Sequence, residues 1–370
     1  MKRGYYIYYT TQSGLIGVEQ KIENQSRVFK QYTVFEKIAV ERQKRTLVKA
    51  IMWRLPFGSF GRNYEAAFTQ IKNPDFIYIR FAPVDRRFLG FIKKLRKEYP
   101  LAKLLLEVST YPYRKELLSD ISMFPFYFKD LFYHRQLKKY IDRVVTFSDD
   151  VEIFGIPTIR TMNGIIVQDQ KIVSGNIQKD GTIHLLAVAL FQKSHGYERC
   201  IRGLADYYNN GGSRSIELHL VGDGTELGFY KKLTEKYHLE QRVLFHGRQS
   251  GEALERLYEN ADIGLGCFGL YKRKIKKISS LKVGEYLSKG LPVITGGPER
   301  AFEGKTMHYV YEFPNDATTI DVNAVVAFYD NIYYRNKDRK EIHRDIRAYA
   351  QDTVDMSRVM QPIIEWILQG

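Results

Sequence analysis

The run His184-Leu185-Leu186-Ala187-Val188-Ala189-Leu190, a loop at 192–196, an amphipathic stretch ending near Tyr208, and then Glu217-Leu218-His219-Leu220-Val221 closed by Gly222-Asp223-Gly224 decide the fold. Two continuous apolar runs separated by a helix-length segment predict parallel strands joined by a crossover helix. The pattern repeats downstream. A helix is expected over 226–237. A strand at 243–245 ends in His246-Gly247-Arg248 and leads to a helix at 252–260. A third unit follows, with a strand at 263–265, a basic loop, a helix at 281–289 and a strand at 292–295. Strand and helix alternating in this way describe a doubly wound sheet.

Residues 1–170 repeat the theme less clearly. Candidate strands lie at 5–9, 76–80, 103–107 and 144–147, with helical patterns at 88–98 and 131–140. A polar stretch from Gln168 to Gly181 reads as the domain linker. The expectation is therefore α/β throughout: two Rossmann-like doubly wound domains, 1–167 and 168–355, facing an interdomain cleft. An amphipathic terminal helix within 356–370 is expected to return to the first domain.

The chain has 370 residues, 44% hydrophobic and 27% charged, which suits two ordinary cores and excludes disorder. Two cysteines, Cys200 and Cys267, build no disulfide framework, and no Cys/His cluster shows zinc spacing. The basic start is followed by an apolar run too short for a signal peptide, and no stretch reaches the roughly 20 apolar residues of a spanning helix. The expected setting is cytoplasmic, at most peripheral on the inner face of the cell membrane. The net charge of +15 is concentrated: residues 1–170 hold 29 Lys and Arg against 17 Asp and Glu. Such asymmetry points to an anionic surface met by that half.

In open α/β sheets ligands bind beyond the carboxyl ends of the strands, where helix N-termini present free N–H groups. Gly196, Gly222, Gly224 and Gly247 stand at those ends, and Lys193, His195, Arg199, Arg248 and Lys282 lie in or beside the same loops. Small residues for backbone approach and cations for charge together predict a phosphate-bearing ligand, a nucleotide.

Val188-Ala189-Leu190-Phe191 with His195-Gly196-Tyr197-Glu198-Arg199, then Val221-Gly222-Asp223-Gly224, Arg242-Val243-Leu244-Phe245-His246-Gly247, Leu257-Tyr258-Glu259-Asn260-Ala261-Asp262-Ile263 and Glu285-Tyr286-Leu287-Ser288-Lys289-Gly290-Leu291-Pro292-Val293-Ile294 resemble the successive signatures of retaining GT-B glycosyltransferases of the GT4 type. The resemblance covers about 183–300; more narrowly, it is similar to bacterial surface-polysaccharide transferases. It implies a hexosyltransferase whose Glu285 holds the donor ribose. Ser279, Ser280, Leu281 and Lys282 would face the diphosphate, and Gly247 with Arg248 the base. Gly14 and Gly17 fall where the family places a loop between donor and acceptor. Two departures stand out. The family's second glutamate, eight residues before the first, is Lys277 here, and its usual Arg and Lys fall on Leu190 and His195. Phosphate charge must then come from Lys193, Arg199, Lys282 or the run Lys272-Arg273-Lys274-Ile275-Lys276-Lys277.

No Asp-x-Asp occurs, so a metal-independent mechanism without cofactor is expected, leaving-group charge being met by cations and a helix end. Lys282 and Lys193 are the expected catalytic cations, and Glu107 is the leading carboxylate on the acceptor side, with a strand-end salt bridge as its alternative. Segments 44–60 and 121–133 mix cations with aromatic and aliphatic residues and suggest contact with an anionic membrane. The implied activity transfers a sugar, from UDP by preference, to a lipid-linked or polysaccharide acceptor in capsule or exopolysaccharide synthesis. Two rivals stay open. One is a nucleotide-sugar 2-epimerase on the same scaffold. The other is a basic nucleic-acid binder, which leaves the glycine-and-cation series unexplained and lacks any recognition motif, so no nucleic-acid partner is expected.

Overall fold

Strands buried on both faces must be apolar along most of their length, and the inner strands of the two sheets largely follow that rule while edge strands depart from it. The computed structural model describes residues 1–9, 16–41, 46–55, 58–59, 61–113, 123–175, 181–305, 307–334 and 338–369. The chain divides into two units, Met1–Met162 with Val359–Gly370, and Asn163–Arg358.

The first unit is built on strands β1 (Arg3–Tyr9), β2 (Val34–Val40), β3 (Phe76–Arg80), β4 (Lys103–Val108), β5 (Arg143–Thr146), β6 (Glu152–Ile153) and β7 (Ile156–Arg160). Their order is β2-β1-β3-β4-β5-β7-β6, parallel except where β6 meets β7. Helices α1 (Ile16–Tyr32), α2 (Leu47–Arg54), α3 (Tyr64–Phe68), α4 (Arg86–Glu98) and α5 (Phe124–Tyr133) connect them. In α4 the Asp85 carboxylate caps the Phe88 N–H at 2.8 Å, and Phe88, Leu89, Phe91, Ile92 and Leu95 are buried. The helical pattern read at 131–140 is displaced. Pro125 starts α5 early, the α-helix stops at Tyr133, and 134–139 tighten into a 3-10 helix.

The second unit holds β8 (Ile183–Leu190), β9 (Ile216–Asp223), β10 (Val243–Gly247), β11 (Ile263–Leu265), β12 (Val293–Thr295) and β13 (Val310–Glu312) in the order β10-β9-β8-β11-β12-β13, all parallel. Its helices are α6 (Glu198–Asn209), α7 (Leu227–Lys236), α8 (Gly251–Glu259), α9 (Leu281–Ser288), α10 (Val322–Tyr333) and α11 (Arg339–Thr353). The strand order reverses between β8 and β11, which makes their carboxyl ends the switch point of this sheet.

Residues 168–181, read above as the linker, fall in the second unit, and the chain changes unit at Met162–Asn163. It returns along α12 (Met356–Leu368), whose Ile367 carbonyl accepts from Lys2 Nζ at 2.8 Å and whose Trp366 carbonyl accepts from Lys103 Nζ at 2.8 Å.

Candidate active site

Two glycines let the loops close on the switch point. A Cβ on Gly222, at φ 134°, would stand 1.9 Å from the Ala189 carbonyl oxygen, and one on Gly196, at φ 65°, would stand 2.4 Å from the backbone of Phe268 and Gly269. The loop after β8 therefore lies directly on the loop after β11.

Lys282, in the first turn of α9, reaches this junction. Its ammonium donates to the Tyr197 hydroxyl at 3.1 Å. Tyr197 is fully buried and in turn donates to the Leu265 carbonyl at 3.4 Å. Burial pushes the Lys282 ammonium below the usual lysine range, with the Cys267 thiol and Glu299 opposing. His195 stacks on Tyr197 with ring centroids 5.8 Å apart, and its Nδ1 accepts the Gln192 N–H at 2.9 Å. That bond puts the ring proton on Nε2. Burial, helped by Lys282, drives the His195 pKa down to about 2, so the ring is a neutral donor and not a cation.

Other residues named from the sequence take different places. Arg199 is buried, and its guanidinium is spent on the carbonyls of Thr318 at 2.6 Å, Phe268 at 3.0 Å and Pro314 at 3.0 Å. It ties two loops together, a correction to its reading as a phosphate cation. Lys193 is exposed on the loop after β8. Arg248 is 76% exposed, 3.4 Å from Asp223, beside Gly247 at the end of β10. Lys277 pairs with Glu303 at 2.5 Å, and Lys272 pairs with Glu198, so both have carboxylate partners. Ser279 is held by Asn163, whose backbone N–H donates to its hydroxyl and whose side-chain amide donates to its carbonyl, each at 2.7 Å. The Ser280 N–H donates to Glu299 at 3.1 Å. Leu281 opens the helix half-buried, and Glu285 follows one turn later. Burial raises the Glu285 pKa while Lys289 opposes.

In the first unit Gly14 lies outside the described residues, and Gly17 sits in the first turn of α1. Glu107 is wholly buried and takes bonds from Lys21 at 3.0 Å, Gln25 at 2.8 Å, Tyr78 at 2.7 Å, Arg80 at 3.1 Å and Ser109 at 2.7 Å. Burial alone would raise its pKa, but Lys21, Arg80 and the hydrogen bonds hold the carboxylate well below its usual range. Of the two roles read from the sequence, this geometry is that of the salt bridge. A carboxylate with both oxygens saturated has no lone pair for an acceptor.

Tyr197 and Glu299 were not singled out from the sequence. Glu299 had a local signal, since it follows Gly296-Gly297-Pro298 directly after β12, a tight turn at a strand's carboxyl end. Tyr197 had none that distinguishes it from a core aromatic.

Residues 168–303 match the family model described as "Glycosyl transferases group 1". No curated protein matches the chain. Among solved structures, a glycosyltransferase from Rickettsia africae ESF-5 is similar at 14% identity and TM-score 0.64, covering 100% of this chain and 99% of that one. Anabaena HepE in complex with UDP gives 14% identity and TM-score 0.65, with 99% of each chain covered. The apo lipopolysaccharide outer core galactosyltransferase WaaB gives 14% and 0.62, covering 98% of this chain and 99% of that one. At such identities the likeness is one of fold, two parallel-sheet α/β domains of the GT-B kind. The second unit carries a group 1 glycosyltransferase domain, and the chain is a glycosyltransferase.

Proposed function

We propose that this enzyme is a retaining, metal-independent transferase of the GT4 type that passes a sugar from a nucleoside diphosphate sugar, UDP by preference, to a lipid-linked or polysaccharide acceptor in cell-surface glycan synthesis. The observation that carries the reading is Lys282, a half-buried ammonium in the first turn of α9 beside His195 and Tyr197 at the switch point of a group 1 glycosyltransferase domain. In this reading the ammonium and the His195 Nε2–H meet the diphosphate as its charge grows, and Glu285 takes the ribose diol. UDP and UDP-glucose are bound by HepE, and that likeness favours the uracil nucleotide.

The acceptor side rests on the first unit. Helix α2 exposes Leu47, Val48, Ile51 and Met52, with Leu55 just beyond it, and α5 exposes Phe128 and Phe132. Lys44, Arg45 and Phe57, which belong to the same reading, lie outside the described residues. Apolar side chains within the basic first 170 residues suit the interfacial layer of an anionic leaflet, which favours an acceptor anchored there. No helix among the described residues is long and apolar enough to cross a membrane.

The test is a panel of nucleotide sugars screened by thermal stabilisation, followed by turnover with and without added Mg²⁺. Stabilisation by one nucleotide class and turnover without added Mg²⁺ are expected. Strict dependence on added Mg²⁺ overturns the metal-free mechanism, and failure of every nucleotide to bind overturns the donor site.

A further inference from the structure

We propose that His184, Glu217 and His219 form a binding site for a divalent first-row transition ion of the zinc class, on the sheet of the second unit. The inference does not rest on the transferase reading. His184 is the second residue of β8 and Glu217 the second of β9, paired in register, and His219 lies two residues further along β9 on the same face.

Three donor atoms converge there. His184 Nδ1 is 3.0 Å from His219 Nε2 and 3.4 Å from Glu217 Oε2, and His219 Nε2 is 3.3 Å from Glu217 Oε2. A triangle with those sides has a circumradius of about 1.9 Å. A point ~0.8 Å off its plane is then ~2.05 Å from all three atoms, the length of a zinc bond to imidazole or carboxylate. One open side remains for water, the arrangement of a tetrahedral ion with three protein ligands.

Hydrogen bonding accounts for the triangle less well. Two neutral imidazoles can share one proton between them, and a carboxylate accepting a charge-assisted N–H closes to roughly 2.7–2.9 Å. Here the oxygen stays almost equally far from both nitrogens. The surroundings also orient the ligands. His219 Nδ1 is 3.0 Å from His246 Nε2 on β10, and an N–H donated there leaves the His219 Nε2 lone pair facing the triangle. The buried His184 ring has no hydrogen-bond partner at Nε2 among the described residues, so its bonding is all on the Nδ1 side. The Glu217 side chain is 28% exposed and gives the ion a way in.

His184 lies six residues before the end of β8, about 20 Å at 3.3 Å per residue, while the outer partner His246 directly precedes Gly247 at the end of β10. An ion here would staple β8 to β9, with His246 tying in β10. The ligands come from two strands more than thirty residues apart, so no local metal motif betrays them.

The test uses the full chain, stripped with chelator and then freed of it, titrated with Zn²⁺ by calorimetry and with Co²⁺ in the visible. The comparison set is wild type, Glu217→Gln, His219→Asn and, as control, His308→Ala, which removes an exposed histidine elsewhere. One equivalent of Zn²⁺, intense tetrahedral cobalt bands and a rise in melting temperature are expected in wild type and the control. Affinity should fall in the two ligand variants by more than the roughly 10- to 100-fold that loss of an outer hydrogen-bond partner of a ligand costs. Absence of saturable binding at one ion per chain overturns the proposal. So does undiminished affinity in Glu217→Gln, or a weak octahedral cobalt spectrum in wild type, which needs no variant to fold.

Discussion

The backbone N–H of Ser280 donates to Glu299 Oε2 at 3.1 Å, so the N-cap amide of α9 is already engaged by a carboxyl from the loop after β12. Burial pushes that carboxyl up to about 8, against the opposing pull of the Ser280 N–H and Lys282. At neutral pH it is mainly the acid. It occupies an anion position without contributing full negative charge.

This predicts a pH dependence of stability. The folded value lies above the ordinary 4.5, so the contribution is whole below about pH 4.5 and is lost as pH climbs through about 8. Glu299→Gln keeps an acceptor and cannot ionise, so its melting temperature should vary less between those limits. Thermal melts from roughly pH 5 to 9 decide it; parallel curves for both proteins would acquit Glu299.

Lys282→Ala removes the half-buried cation at the switch point. Transfer, read as kcat/KM, should fall on the order of 10²- to 10³-fold, as when one electrostatic donor to a transition state is deleted. Wild-type turnover in this variant would dismiss the proposed site.

Glu285→Ala should weaken donor binding about 10-fold, ~1.4 kcal/mol, by losing the acceptors for a vicinal diol. Calorimetry with the preferred nucleotide sugar reads this directly, and an unchanged Kd would place Glu285 outside the ribose site.

Glu107→Gln leaves Lys21 and Arg80 without their countercharge in the core of the first unit. A loss of about 3–5 kcal/mol in urea unfolding is expected, with nucleotide binding by the second unit retained. Full stability with abolished transfer would instead return Glu107 to the chemistry.

Leu47→Glu with Ile51→Glu places charge on the exposed face of α2. Sedimentation with anionic vesicles should fall several-fold while vesicle-free donor binding stays constant, the loss of apolar burial outweighing what remaining cations supply. Equal sedimentation of variant and wild type would argue against a membrane role for this face.

The second unit was more legible than the first for a physical reason. Its strands at 184–190, 217–221 and 243–245 are buried apolar runs between glycine-punctuated loops, and the structure extends each by only a few residues. Strand β2 escaped notice because it is an edge strand, with Val34, Glu36 and Lys37 exposed and an acid–base pair interrupting the apolar pattern. At the site, residue type announced position, and Lys282 and Glu285 do fall on α9. What no sequence pattern conveys is which cation stays available. Arg199 and Lys193 look alike in the sequence, yet one is consumed by three carbonyls and the other stands in solvent. Side-chain convergence across strands, as for His184 and His219, is equally invisible until register is known.

Residues 359–370 complete a unit whose other members precede residue 163, with some two hundred residues of a different unit between them. On the ribosome, the second unit can gather all its own strands while the first still lacks the segment that reaches Lys2 and Lys103. Such distant closure raises contact order and slows the last step of assembly. The aromatic-rich sheet with the exposed α2 face would thus wait longest for its final partner, which makes it the part of this enzyme most in need of chaperone protection at birth.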